Sequence, residues 1–309
     1  MSKKRIINLV GGRGYTGSEL LQLIAGHPEM DLGIASSRSV AGQAISSICD
    51  GWPDDGRMFT QLESAGVSAL PADAWVLALP NGLAGEWVNA ILAAFPDAVI
   101  LDLSADYRFD SQWTYGLAER FRDQLRAARL ISNPGCYATG AQLGLWPLAE
   151  DLRSDPVIFG VSGFSGAGKT PSPRNDPKVL KDNMIPYSLS GHMHEKEISH
   201  QLQGAARFMP HVAAFFRGIS LTIAFELDYP TSVDELEVLF RQTYEGEERI
   251  SVSRDIPQVS AVQNTPDVHI GGFDVDARNP AQGSLVVVLD NLLKGAASQA
   301  LQNLNLALG

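Results

Sequence analysis

The chain has 309 residues, enough for about two domains with separate cores. Apolar residues make up 45% and charged residues 19%, the usage of an ordinary folded protein. A formal net charge of −11 argues against nucleic acid or an anionic membrane surface as the main partner, because both call for basic patches. The two cysteines, Cys49 and Cys136, are too few for a disulfide scaffold and fit a reducing cytosol. Lys3, Lys4 and Arg5 precede an apolar run, but Ile6 to Val10 is far shorter than a signal-peptide core, and no run approaches the ~20 apolar residues of a membrane span. A cytoplasmic location is the expectation.

Arg5 to Val10 reads as a strand, followed by a glycine loop from Gly11 to Gly17 and a helix pattern from Ser18 to Ala25. Leu32 to Ala35, Trp75 to Leu79 and Ala98 to Leu101 are further short apolar strands, with helical stretches such as Leu83 to Ala94 between them. This alternation implies an α/β fold: a Rossmann-type, doubly wound parallel sheet with ligand sites at the carboxyl ends of its strands. Arg129 to Ile131 reads as a buried strand, Pro134 and Gly135 as a corner, and Tyr137 to Leu145 as a helix ended by Pro147. Then the texture changes. Val157 to Val161, Gly218 to Leu227, Val268 to Asp274 and Ser284 to Leu289 are strand-like with fewer intervening helices, which predicts a second domain of α+β type. Asn291 to Leu308 carries a long helix pattern.

The glycine loop spaces Gly11, Gly14 and Gly17 as G-x-x-G-x-x-G. Such a triplet alone is weak evidence. Set between a first strand and a helix, it predicts a dinucleotide site, with glycines permitting close approach of a pyrophosphate to the helix N-terminus. A strand that serves NAD usually ends in an acid for the ribose 2′-hydroxyl. Here the second strand ends in Ser36-Ser37-Arg38-Ser39, hydroxyls and a guanidinium, which suits a 2′-phosphate and favours NADP(H).

Ser132-Asn133-Pro134-Gly135-Cys136-Tyr137 places Cys136 on a sharp strand-to-helix turn. The first turn of a helix presents free backbone N–H groups and the positive end of the dipole, which favour an anion. The thiolate is the reactive form of cysteine, so Cys136 is the candidate nucleophile. Cys49 has neither a helix start nor basic neighbours and reads as structural. Gly163-Phe164-Ser165-Gly166-Ala167-Gly168-Lys169-Thr170 fits the P-loop pattern, but three prolines follow at 171, 173 and 177, so the helix that a P-loop requires cannot start there. Lys169 and Arg174 are left as candidates to meet an anionic substrate. In Gly191-His192-Met193-His194 the i, i+2 histidines do not share a helix face, so no metal site is expected. A cysteine enzyme needs an acid/base nearby, and histidine is the obvious one at neutral pH.

Together the glycine loop, Asp102-Leu103-Ser104-Ala105-Asp106-Tyr107-Arg108, the Asn-Pro-Gly-Cys turn, Ser165-Gly166-Ala167-Gly168, the Gly-His-x-His segment and Asp290-Asn291-Leu292-Leu293-Lys294-Gly295 resemble the shorter branch of the N-acetyl-γ-glutamyl-phosphate reductase family. The similarity runs from the first strand to the last helix. That family commonly has Arg and Pro where Met193 and Lys196 stand, and Ala-Ser in place of Gly12-Arg13. The resemblance implies an NADP domain at residues 1–140 and 290–309 and a catalytic, subunit-contact domain at 141–289. It implies that Cys136 attacks an acyl phosphate, expels phosphate, and holds a thioester that hydride from NADPH reduces to the semialdehyde. His194 is assigned to acid/base work, with His192 in reserve or on the substrate. Arg108 is expected to steady the phosphate, with Asn133, Ser165, Lys169 and Arg174 also toward substrate. Arg13, Tyr15, Thr16 and Asn291 join the glycines and Ser36, Ser37 and Arg38 toward the cofactor. A homo-oligomer, dimer or tetramer, is implied.

Two other readings stay open. Aspartate-semialdehyde dehydrogenases share the Asn-Pro-Gly-Cys turn and run the same chemistry on a shorter substrate. A catalytically silent NADP-sensing Rossmann protein would bind cofactor without thiol reactivity.

Overall fold

A computed structural model describes residues 4–309, so Lys3 of the basic start lies outside the described residues. The chain divides into two compact units, one of residues 1–134 and 296–309, the other of residues 135–295. The boundaries expected at 140 and 290 therefore move to 134 and 295. Residues 135–140 and 290–295 pack with the second unit because the Cys136 helix lies on that unit's sheet.

In the first unit the elements are β1 (Arg5–Val10), α1 (Tyr15–Ala25), β2 (Met30–Ser36), β3 (Ala74–Leu77), α2 (Ala84–Ala94), β4 (Val99–Asp102), β5 (Thr114–Tyr115), α3 (Ala118–Arg126) and β6 (Leu130–Ser132). All pairs in its six-stranded sheet are parallel, in the order β2-β1-β3-β4-β6-β5. The order reverses between β1 and β3, and a doubly wound sheet binds its ligand outside the strand ends at that switch. Ile7, Leu20, Ile24 and Leu101 pack on one face, Trp75, Leu77, Trp87 and Ile91 on the other. Parallel strands covered on both faces are apolar throughout, which is why short apolar runs betrayed them. α1 begins at Tyr15, three residues before the expected Ser18, because Gly14 serves as its N-cap.

The second unit contains α4 (Cys136–Leu145), β7 (Val157–Gly163), α5 (Pro177–Leu180), β8 (Met184–Pro186), α6 (Met193–Leu202), β9 (Arg207–Ala213), β10 (Ile219–Glu226), α7 (Val233–Thr243), β11 (Ile250–Val252), β12 (Val268–Val275) and β13 (Gln282–Leu289). Its sheet runs β11-β12-β13-β10-β7-β9-β8 and is mixed, with β10 antiparallel to both neighbours. A side chain at Gly140 would stand 2.6 Å from Leu221, and one at Gly144 2.7 Å from Ile223. Two glycines four residues apart share a helix face, so they let α4 settle closely on β10 and β13. Every α4 residue except Cys136 is buried. Beyond Leu145 the chain continues as a 3-10 turn, Trp146–Asp151, where Pro147 is accommodated near the start.

The continuous helix expected over Asn291 to Leu308 is interrupted. A π-helical turn, Leu293–Ala297, precedes α8 (Ser298–Leu308), which packs in the first unit against α3 and α1. The Asn291 side chain is tied to Gly218 and Ser165, and Asp290 accepts from the N–H groups of Leu292 and Leu293, so this stretch is a capped turn rather than a helical start. No helix among the described residues is long and apolar enough to cross a membrane.

Candidate active site

Cys136 opens α4 as predicted, one residue earlier than the expected helix. The helix's first i→i−4 bond runs from the Thr139 N–H to the Gly135 carbonyl, 2.8 Å, so the amides of Cys136, Tyr137 and Ala138 lie ahead of the helical ladder. That is the end of the dipole that favours a thiolate. Cys136 is partly exposed. Cys49 is buried, with its sulfur against the Ser18 carbonyl at 3.3 Å.

Two elements of the same unit surround this turn. α6 begins with His192 as N-cap, whose Nδ1 accepts the His194 N–H at 3.1 Å. The His194 ring lies 5.8 Å from Tyr137 and 5.0 Å from His192, and both histidines pack on Phe208. Burial, then the Arg174 charge, hold His192 below the usual imidazole range, with Glu195 partly opposing. An imidazole kept neutral is a sound cap acceptor. Arg174 lies over the Tyr187 ring at 4.7 Å, and Tyr187 is 5.6 Å from His192. Burial, aided by the charge of Cys136, pushes the Tyr187 hydroxyl up to about 12, so it stays a neutral donor. Tyr137 donates to the His211 carbonyl at 2.7 Å.

Sequence reasoning missed Glu197. Its side chain is fully buried, and Oε1 accepts the Gly135 N–H at 2.9 Å, joining α6 to the N-cap of the nucleophile helix. The signal was present: a glutamate three residues after His194 shares its helix face, beside the apolar Ile198. Such a carboxylate takes the part that the distant glutamate plays in a capping box, except that it comes from another helix.

Other expected substrate residues of this unit divide into two groups. Lys169 and Arg174 are exposed, on the proline-rich segment where no helix starts at Lys169. Ser165 and Asn291, by contrast, are turned inward: the Asn291 carboxamide accepts the Gly218 N–H at 2.7 Å and donates to Ser165 Oγ at 2.9 Å, both residues being buried. Asn291, expected toward the cofactor, braces two strand ends through these bonds.

In the first unit the glycine loop forms an anion cradle. Gly11 has φ +91°, and a Cβ there would stand 2.2 Å from the Ala78 carbonyl oxygen, so only glycine fits. The amides of Gly11 and Gly12 are spent on the Ser36 carbonyl. Gly14 meets no atom closer than 3.8 Å, so its missing side chain leaves open space that a ligand can approach rather than relieving a protein contact. The first helical bond of α1 is Ser18 N–H to Gly14 carbonyl, 2.9 Å, which leaves the amides of Tyr15, Thr16 and Gly17 ahead of the ladder, and no acid occupies the first turn. This geometry fits a pyrophosphate. Arg13 is exposed beside it. At the end of β2, Ser36 is buried, Ser37 and Ser39 hydroxyls lie 3.4 Å apart, and Arg38 is exposed but pairs with Glu63 at 3.0 Å. No acid ends this strand, and the guanidinium has a competitor that the sequence did not disclose.

At the ends of β3, β4 and β6 three loops are stitched together. Asp106 accepts the N–H groups of Gly82 and Ala84, and Asn81 accepts that of Ala105. Asp102 is fully buried and accepts the Ser104 hydroxyl at 2.6 Å; burial raises its carboxyl above the usual range, the Ser104 bonds and Arg108 opposing. Arg108 is held by the carbonyls of Asn133 and Leu103, each at 3.0 Å. Asn133, expected on the substrate, is buried: its Oδ1 accepts from Asn303 at 3.1 Å and its own carbonyl anchors Arg108. Among the described residues no group of three or more His, Cys, Asp or Glu side chains is arranged to hold a metal ion.

The semialdehyde dehydrogenase NAD binding domain matches residues 6–128, and the semialdehyde dehydrogenase dimerisation domain matches residues 136–291. The N-acetyl-gamma-glutamyl-phosphate reductase of Xanthomonas campestris pv. campestris (strain B100) is 49% identical over 303 residues, 98% of this chain and 95% of that protein. The protein of the same name from Stenotrophomonas maltophilia (strain R551-3) is 48% identical over 303 residues, again 98% and 95%. Among solved structures, aspartate semialdehyde dehydrogenase II of Vibrio cholerae, complexed with ASA, has the same fold at a TM-score of 0.78 and 18% identity, covering 99% of this chain and 98% of that one. The chain belongs to the semialdehyde dehydrogenase family, and within it to the N-acetyl-γ-glutamyl-phosphate reductases.

Proposed function

We propose that this chain reduces N-acetyl-L-glutamyl 5-phosphate to N-acetyl-L-glutamate 5-semialdehyde and phosphate, a step of arginine biosynthesis, with NADPH as the reductant. The observation that carries this reading is Cys136 on the first turn of α4, partly exposed, with the His194 ring 5.8 Å from the adjoining Tyr137 and 5.0 Å from His192. The Cys136 thiolate attacks the acyl carbonyl, a C–S bond forms, and the C–O bond to phosphate breaks. The thioester that remains is still activated toward hydride, which is the purpose of covalent catalysis here. Reduced nicotinamide, when bound, supplies that hydride. His194 protonates the thiohemiacetal oxygen and takes the proton back as the C–S bond breaks, releasing the aldehyde and the Cys136 thiolate. Arg174 meets the carboxylate end of the substrate. The amides of Tyr15, Thr16 and Gly17 hold the cofactor pyrophosphate, and Arg38 and Ser37 its 2′-phosphate. The work is done in the cytoplasm.

The chain also acts as a homo-oligomer through the sheet of the second unit. α4 covers the face bearing Leu221, Ile223 and Val287. On the opposite face Phe159 is 37% exposed and stacks near His211, with Thr222 and Ala224 exposed on the neighbouring strand. A sheet face left exposed, with an apolar centre, suits a second copy.

The assay is phosphate-dependent reduction of NADP with N-acetylglutamate semialdehyde, run beside aspartate semialdehyde. Turnover of the acetylated substrate alone supports the reading. Preference for aspartate semialdehyde transfers the chain to the other substrate, and cofactor binding without turnover of either supports the silent NADP-sensing protein.

A further inference from the structure

The segment that follows β13 is anchored at every step. Asp290 is fully buried and pairs with Arg217, Nε at 2.6 Å and Nη2 at 3.2 Å, while also accepting the N–H groups of Asn264, Leu292 and Leu293. Its carbonyl accepts the Gly295 N–H at 2.9 Å. Asn291 is fixed by Gly218 and Ser165 as described above. The segment therefore delivers Gly295 to a defined place, and that place is the nucleophile. A Cβ on Gly295 would stand 2.7 Å from the Cys136 Cβ and 3.3 Å from its Cα.

Backbone conformation does not require this glycine, because its φ lies outside the left-handed region. Local helix propensity favours alanine over glycine in such a segment. What most excludes a side chain is the Cys136 Cβ at 2.7 Å, with the Asp290 carbonyl oxygen at 3.2 Å and the Cys136 Cα at 3.3 Å behind it, none of them the end of a flexible chain. We infer that Gly295 is a positioning residue for Cys136, its bare Cα forming the surface that sets where the Cβ, and with it the Sγ, can stand. The inference rests on the reading of Cys136 as nucleophile. A methyl at 295 must push the Cys136 Cβ aside. Displacements on the order of 1 Å at a reacting centre cost up to roughly a hundredfold in rate.

The test uses a Cys49→Ala background, so that Cys136 is the sole thiol, with and without Gly295→Ala. Alkylation by iodoacetamide across pH, and kcat and KM in the reductase assay, are measured for both. The expected result is an alkylation rate and a kcat that each fall about ten- to a hundredfold, with KM for the acyl phosphate unchanged within about twofold. An unchanged alkylation profile and kcat overturn the inference while leaving the nucleophile reading intact. That reading instead fails if Cys136→Ser keeps its turnover. Should Gly295→Ala fold poorly, melting temperatures decide: the loss caused by Gly295→Ala shrinks in a Cys136→Gly background, which removes the opposing Cβ. An equal loss in both backgrounds overturns the contact.

Discussion

Arg38 gives the sharpest test of cofactor choice. A charge-assisted hydrogen bond to a 2′-phosphate is worth about 1.5–3 kcal/mol. In the structure, however, the guanidinium already pairs with Glu63 at 3.0 Å, and both side chains are largely exposed, 77% and 57%. An exposed pair of this kind contributes about 0–1 kcal/mol, and that amount is surrendered when Arg38 turns to phosphate. The net preference is therefore about 0.5–3 kcal/mol, roughly two- to 150-fold in the ratio of kcat/KM for NADPH over NADH. Arg38→Ala should reduce the ratio by that factor through NADPH alone. Glu63→Gln should move the ratio the other way, up to about fivefold, because the competitor is gone. Both effects should weaken with added salt. The assay is initial-rate kinetics with each cofactor at two ionic strengths. If Arg38→Ala lowers both cofactors equally, or Glu63→Gln weakens NADPH, the guanidinium does not read the 2′-phosphate.

His194→Asn should lower kcat by about 10²–10⁴, the usual cost of losing a general acid–base, whereas His192→Asn, which retains a capping side chain, should be much milder; steady-state rates of both variants from pH 6 to 9 check the order, and the reverse order exchanges the roles. Glu197→Ala strands the buried Gly135 N–H and should lower folding stability by about 1–3 kcal/mol, while Glu197→Gln keeps an acceptor and should lose clearly less; denaturant midpoints decide. His192 is held below its ordinary pKa by burial and by Arg174. The unfolded chain therefore takes up this proton first as pH falls, so the stability tied to a neutral His192 is present above about 6.5 and is lost as pH falls below it. Melting curves between pH 7 and 5 should show a shallower decline for His192→Asn than for the unmodified protein, and equal slopes would remove His192 as the cause.

The fold was legible where its signals are local. The strand, glycine loop and helix from Arg5 to Ala25 follow one another within a few residues, and Pro134-Gly135 announces the turn that presents Cys136. The second sheet was only partly legible. Pro210 lies within β9 and β8 is three residues long, so neither offered the alternation or the length by which strands are recognised. Long-range partners left no local mark. Glu63 reaches Arg38 across 25 positions, Glu197 reaches Gly135 across 62, and Asp290 finds Arg217 across 73. Asn133 and Asn291 were expected on ligands through the family resemblance, and their protein partners are distant in sequence: Asn133 accepts from Asn303 of α8, and Asn291 bonds Gly218 and Ser165.

The central claim is that Cys136 is acylated before any hydride is transferred. It is tested most directly by mixing the enzyme with N-acetylglutamyl phosphate in the absence of NADPH, then measuring released phosphate and the mass of the intact chain. A burst of about one equivalent of phosphate per chain, with an N-acetylglutamyl adduct mapped to Cys136 and absent from Cys136→Ser, is the predicted result. Release of phosphate without an adduct, or an adduct that persists in Cys136→Ser, contradicts the thioester mechanism.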